Sequence, residues 1–144
     1  MVPGMALSVT EREQFLAEPH IGALSVLESP DRGPLSVPTW YDYEPGGELL
    51  ILTAVGSRKG KAIEAAGRFT LLAERVEPTV RYVSVEGPVT GIVRGTEEEL
   101  VRMAHRYLPP DKAEAYLEFA RSDHPDQLVV RMRPRHWLSA DLGG

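Results

Sequence analysis

Apolar and polar positions alternate with period two along most of this chain, and helical spacing is confined to short stretches between. From Leu35 to Tyr43 the alternation is complete. Leu35, Val37, Thr39, Tyr41 and Tyr43 share one face of an extended strand, and Ser36, Pro38, Trp40 and Asp42 share the other. Pro38 removes a ladder donor, which puts this strand at a sheet edge or a bulge. Residues 20–27 form the strand before it, with Ile21, Leu24 and Val26 apolar, and Ser29-Pro30-Asp31-Arg32-Gly33-Pro34 turns one into the other. Pro45-Gly46-Gly47 leads into residues 48–54, apolar at the centre as in a strand covered on both faces. Residues 69–76 and 80–93 give two further strands. Gly87-Pro88 and Gly91 interrupt the second, where a small closed barrel needs corners. Residues 126–139 return to strand, with Val129, Arg131, Arg133, Arg135 and Trp137 opposite Leu128, Val130 and Met132.

The helical segments are residues 8–18, a short Ala-rich run after Ser57, residues 96–108 and residues 111–122. Thr10 with Glu13, and Thr96 with Glu99, have capping-box spacing, Asp111 is the cap expected after Pro109-Pro110, and Pro19 closes the first helix. The chain has no internal repeat, low-complexity tract or dividing linker, so residues 1–144 are expected to form one domain. Five or six antiparallel strands with short peripheral helices define an α+β, mainly β, small barrel.

The stretch Thr53-Ala54-Val55-Gly56-Ser57-Arg58-Lys59-Gly60-Lys61 runs from a strand into the Ala-rich helix. Ser57 is its N-cap by residue type. Arg58, Lys59 and Lys61, which include two of the chain's three lysines, stand at the helix end that carries partial positive charge. There each exposed cation costs about 0.3–1 kcal/mol. A bound anion reverses that sign, because amides and side-chain cations converge on it. The stretch reads as a phosphate or polyanion clamp, with a solvated basic turn as the plain alternative. Gly56-x-x-x-Gly60-Lys61-Ala62 is one spacer short of a P-loop and lacks its hydroxyl, and no G-x-G-x-x-G follows a strand.

Composition narrows the chemistry. A net charge of −5 argues against broad nucleic-acid binding. The absence of cysteine removes disulfides, thiolate metal sites and a cysteine nucleophile. With no H-E-x-x-H spacing and scattered histidines (His20, His105 and His136 among them), no metal site and no acid–base dyad are expected. No apolar run reaches the roughly 20 residues of a membrane span, and Met1–Leu7 lacks a signal-peptide pattern, so a cytoplasmic location is expected.

Four segments then resemble a known family in sequence and order: Pro38-Thr39-Trp40-Tyr41, Leu50-Ile51-Leu52-Thr53, Ser57-Arg58-Lys59-x-Lys61 and Arg81-Tyr82-Val83-Ser84-Val85-Glu86-Gly87. Together they are similar to the pyridoxamine 5′-phosphate oxidase-like, FMN-binding split-barrel family, including its flavin/deazaflavin oxidoreductase branch. The similarity spans roughly Glu11 to Trp137. It implies an antiparallel six-stranded split β-barrel and a homodimer, with FMN or the deazaflavin coenzyme F-420 bound in grooves between subunits. By position, Arg58, Lys59 and Lys61 would hold the cofactor phosphate with Ser57 beside them. Val37, Pro38, Thr39 and Trp40 would line the ring from one strand, and Thr53 would contribute from the next. Tyr82, Glu86 and Trp137 would reach across from a partner subunit. The implied function is an oxidoreductase moving a hydride to or from a small molecule; the alternative is a dimer that binds a cofactor or phosphorylated ligand without turnover. Pyridoxamine phosphate oxidases are typically longer, with a basic substrate site near the C-terminus. Arg133, Arg135 and His136 offer only a fragment of it, so pyridoxamine oxidation is not the expected activity. Arg131, Arg133 and Arg135 read first as a solvated face.

Overall fold

The computed structural model describes residues 5–123 and 126–143. Its strands are β1 (Gly22–Val26), β2 (Leu35–Thr39), β3 (Asp42–Tyr43), β4 (Leu49–Ala54), β5 (Arg68–Arg75), β6 (Arg81–Arg94), β7 (Gln127–Met132) and β8 (His136–Asp141). The helices are α1 (Val9–Ala17), α2 (Arg58–Ala66), α3 (Glu97–Tyr107) and α4 (Pro110–Asp123). The strands pair in the order β2-β1-β5-β6-β7-β4-β3, with β8 added beside β6, and every pairing is antiparallel. The α+β, mainly β expectation holds, and β2 is an edge strand as Pro38 requires.

The expected six strands are eight, for two local reasons. The run 35–43 breaks at Trp40-Tyr41, where the Tyr41 amide donates to the Tyr107 hydroxyl (3.1 Å) instead of to a strand. The run 126–139 breaks at Arg133-Pro134-Arg135. There the Arg133 amide donates to Pro88 O and the Arg135 amide to Glu86 O, so the chain steps along β6 from one pairing to the next. The first capping box is also displaced: Ser8 caps α1 reciprocally with Glu11, not Thr10 with Glu13. Asp111 lies inside the first turn of α4, which starts at Pro110, a residue whose fixed φ suits the opening position.

β6 is the hub. Its first half, Arg81–Pro88, pairs with β5 on one side and, through Glu86, with β8 on the other; its second half pairs with β7. The register shifts between Val89 and Gly91. Gly87 sits where the two halves meet, and a Cβ there would stand 1.8 Å from the Arg133 carbonyl oxygen. Only glycine fits that approach.

Registers then sort side chains into faces. Val37, Leu24, Leu71, Val85 and Trp137 form one cross-strand row from β2 to β8, turned toward the core. Phe15 and Leu16 of α1, Ile63 of α2 and Tyr41 fill that core, all essentially without exposed surface. One residue over, Pro38, Ala23, Leu72, Ser84 and Leu138 form a row on the opposite face, and Leu138 is 65% exposed. The α3–α4 pair has its own small cluster around Ala104, Ala113 and Leu117. Arg106 ties α3 to the barrel: Nε donates to Tyr41 O (2.8 Å), Nη1 to Ala17 O (2.9 Å) and Nη2 to Glu18 O (3.0 Å). No helix among the described residues is long and apolar enough to cross a membrane.

Candidate functional site

The turn from β4 into α2 is built as its residue types dictate. Gly56 adopts φ +80°, and Ser57 caps the helix by accepting from the Gly60 amide (3.0 Å). Thr53 is buried at the end of β4, and its hydroxyl meets the Ser57 hydroxyl at 2.6 Å. Gly60 packs closely here, since a Cβ would lie 3.0 Å from Ser57 Oγ and 3.3 Å from Thr53 Cγ2. No acid occupies the first turn of α2.

The three cations diverge. Lys59 is half-buried, and its ammonium donates to Thr39 Oγ1 at 3.3 Å. Among the described residues no carboxylate forms an ion pair with it within 4.0 Å. Burial pushes the Lys59 pKa below the ordinary lysine value. Arg58 turns outward into a two-point ion pair with Glu28, with Nε to Oε2 at 2.8 Å and Nη2 to Oε1 at 2.7 Å. The Arg58 hydrogen bonds, chiefly, hold the Glu28 carboxyl below the usual glutamate range. Lys61 is exposed.

Lys59 faces a cleft of about 350 Å³, lined also by Pro38, Thr39, Trp40, Ile21, Leu52, Leu100, Met103, Tyr116 and Gln127. Trp40 stacks on Tyr107 with centroids 4.9 Å apart and planes 13° from parallel, and meets Tyr116 at 5.0 Å. Burial raises the pKa of both tyrosines, so both hydroxyls are neutral near pH 7. The Tyr107 hydroxyl donates to His20 O (2.8 Å), which fixes the ring beneath Trp40. The cleft therefore offers flat aromatic and apolar walls and one ammonium, carried on the first turn of α2.

Of the residues singled out by sequence, the fold brings together Pro38, Thr39, Trp40 and Lys59, with Thr53 and Ser57 directly behind. Val37 and Trp137 pack against the core instead; Trp137 lies under the Arg12 guanidinium (4.5 Å) and edge-on to Tyr43. Tyr82 and Glu86 lie on the other face of the sheet, where Glu86 pairs with Arg68 (2.8 Å) and faces His136 (3.8 Å). Leu100, Met103 and Tyr116, which line the cleft, and Tyr107, which backs Trp40, were not anticipated. The i, i+3, i+7 spacing of Leu100, Met103 and Tyr107 carries the signal, since it puts all three on one face of α3.

A second hollow of about 410 Å³ lies between the β3–β4 turn and α3. Asp42, Glu44, Glu48, Glu98 and Glu99 line it against two arginines, Arg131 and Arg102, the latter already paired with Asp42 (3.0 Å) and Glu44 (3.0 Å). That lining repels an anion, so the cleft at Lys59 is the better anion site although it is the smaller. Among the described residues no cluster of His, Asp or Glu could hold a metal ion.

No family model and no curated protein matches the chain. Solved structures do. An F-420 reductase is 24% identical over 95% of this chain and 98% of its own, with a TM-score of 0.69. A conserved hypothetical protein of Mycobacterium tuberculosis is 25% identical over 98% of this chain and 89% of its own, with a TM-score of 0.71. A candidate pyridoxamine 5′-phosphate oxidase of Listeria innocua is 12% identical over 87% and 90%, with a TM-score of 0.54. The likeness is one of fold.

Proposed function

The chain has the split-barrel fold of the pyridoxamine 5′-phosphate oxidase-like family, and from it we propose a flavin-type oxidoreductase, using FMN or F-420, that works as a homodimer. The observation that carries this reading is Lys59: an ammonium drawn into an aromatic-walled cleft, with a neutral hydroxyl as its partner. A cation so placed is poorly solvated and gains when an anionic group replaces the lost water. The lining fits a phosphorylated ring: Lys59, carried on the first turn of α2, supplies the charge, the Thr39 hydroxyl stands beside it, and Pro38 and Trp40 offer flat contact.

When bound, a flavin or deazaflavin supplies the hydride chemistry itself. The residues of this chain bind it, orient it and exclude water; no side-chain acid or base is required of them. Trp40, held by Tyr107, sets the width of the cleft beside the ring position. Homodimer formation is supported by the outer row Pro38–Ala23–Leu72–Ser84–Leu138, apolar but for Ser84, in which Pro38, Ala23 and Leu138 are exposed. A small-molecule substrate would enter between that partner and the α3–α4 pair.

Titrating the purified protein with FMN and with F-420, followed by fluorescence, tests the reading. Micromolar or tighter binding of either ring is expected, followed by turnover of the reduced cofactor with a conjugated acceptor. Binding without turnover across an acceptor screen would support the alternative, a non-catalytic binding dimer. No binding of either ring contradicts both.

A further inference from the structure

We propose that Glu28 sets the charge of the phosphate this site accepts, favouring a cofactor joined through a phosphodiester over one ending in a phosphomonoester. The inference rests on the cofactor reading above and adds a specificity residue to it.

Arg58 and Glu28 form a two-point ion pair. Both carboxylate oxygens are used, at 2.8 and 2.7 Å, and they take the Nε–Nη2 edge of the guanidinium, the edge best suited to a two-point anion contact. The pair is neutral. Of the three cations at the start of α2, only Lys59 and Lys61 then offer net charge to a ligand. A phosphomonoester carries about 1.5–2 negative charges near neutral pH. To use Arg58 it must displace Glu28 or sit against a fixed carboxylate. A phosphodiester carries one charge, has no second ionisation and loses less by leaving Arg58 paired.

The shape of the site agrees. Lys59 points inward while Arg58 and Lys61 are exposed, so the clamp is closed on the cleft side and open on the Arg58–Glu28 side. A second ester arm on a phosphate held by Lys59 would leave on that exposed side. Glu28 also belongs to the segment linking β1 to β2, and β2 leads directly to the cleft residues Pro38, Thr39 and Trp40. The hairpin that shapes the ring position therefore also carries the carboxylate that screens the phosphate position. Arg32 is the other cation acting on Glu28, and together with Arg58 it keeps that carboxyl ionised near neutral pH.

Matched ligands isolate the effect. The flavin ring and the 8-hydroxydeazaflavin ring are each prepared as the 5′-phosphate and as its methyl diester, and all four are titrated into the wild-type dimer and Glu28→Gln. Within each pair the ring is constant and the phosphate differs by one ionisation and a methyl group. For the ring that binds, the wild type is expected to prefer the diester about threefold to fivefold, the upper part of the range for one exposed charge pair. Glu28→Gln is expected to bring the two within about twofold, chiefly by strengthening the monoester. Equal affinities in the wild type, or a preference unchanged by Glu28→Gln, overturn the role of Glu28 and leave the cofactor site standing. If none of the four ligands binds either protein, the cofactor reading falls and this inference falls with it. Glu28 lies on the surface, and an unchanged melting temperature for Glu28→Gln excludes a folding defect.

Discussion

Lys59 and Asp141 show opposite uses of a charge. Lys59 is drawn inward beside a hydroxyl, and burial lowers its pKa. A lysine whose folded pKa lies below its unfolded one penalises folding at lower pH, and the penalty fades as pH rises through the folded value. An anion at the cleft removes the penalty. Lys59→Met is therefore expected to leave the melting temperature of the ligand-free protein unchanged or raise it, measured by calorimetry at pH 7. Asp141 is the reverse case. Its carboxylate accepts from the Gly143 amide (2.9 Å), the Thr79 hydroxyl (2.8 Å) and Arg81 Nε (2.8 Å), which lower its pKa from 3.8 to about 2. A depressed carboxylate contributes stability that is full above the unfolded pKa and is lost as pH falls through the folded one. Urea unfolding between pH 5 and about 2 should lose stability over that window, and Asp141→Asn should flatten the lower part of the curve.

At the scale of elements, α3 is the piece that makes the cleft a cleft, and Arg106 makes three of the hydrogen bonds that hold it. Arg106 is 14% exposed, donates to three carbonyls at helix and strand ends, and stacks 5.3 Å from the Tyr41 ring. Arg106→Ala leaves those acceptors short of a donor and is expected to cost on the order of 2–3 kcal/mol in urea unfolding. It should also free Trp40 from Tyr107, read as a change in tryptophan fluorescence. The elements themselves were largely legible. Alternation marked the strands, Pro38 marked the edge and Gly87 the junction within β6, because these are local demands of backbone geometry. The breaks at Trp40-Tyr41 and Arg133-Pro134-Arg135 were not legible, since each depends on a partner distant in sequence: the Tyr107 hydroxyl in one case, the carbonyls of Glu86 and Pro88 in the other. The same holds for the site. Residue type and spacing located the Ser57 cap and the cations beside it. That Lys59 turns inward while Arg58 is taken by Glu28, thirty positions away, is a matter of tertiary placement.

On the scale of the whole molecule, the sheet has a filled face and a bare one. Val37, Leu24, Leu71, Val85 and Trp137 face the core, while Pro38, Ala23, Leu72, Ser84 and Leu138 face outward across the same five strands. The exposed Pro38, Ala23 and Leu138 of that row are where the proposed second copy would sit, and Pro38 also lines the cleft. Leu138→Glu, at an exposed position, should leave the fold intact and convert a dimer into a monomer by light scattering; an unchanged mass removes this strip from the interface. On the proposed arrangement, with a second copy completing the groove, dimer loss should also weaken cofactor binding. Whether Lys59 anchors an anionic flavin-type cofactor is decided by titrating wild type and Lys59→Met with FMN and F-420 under identical salt. Binding by the wild type is expected, with an affinity lower by roughly tenfold or more in Lys59→Met, the cost of one charge-assisted hydrogen bond. Equal affinity in the two proteins would contradict it.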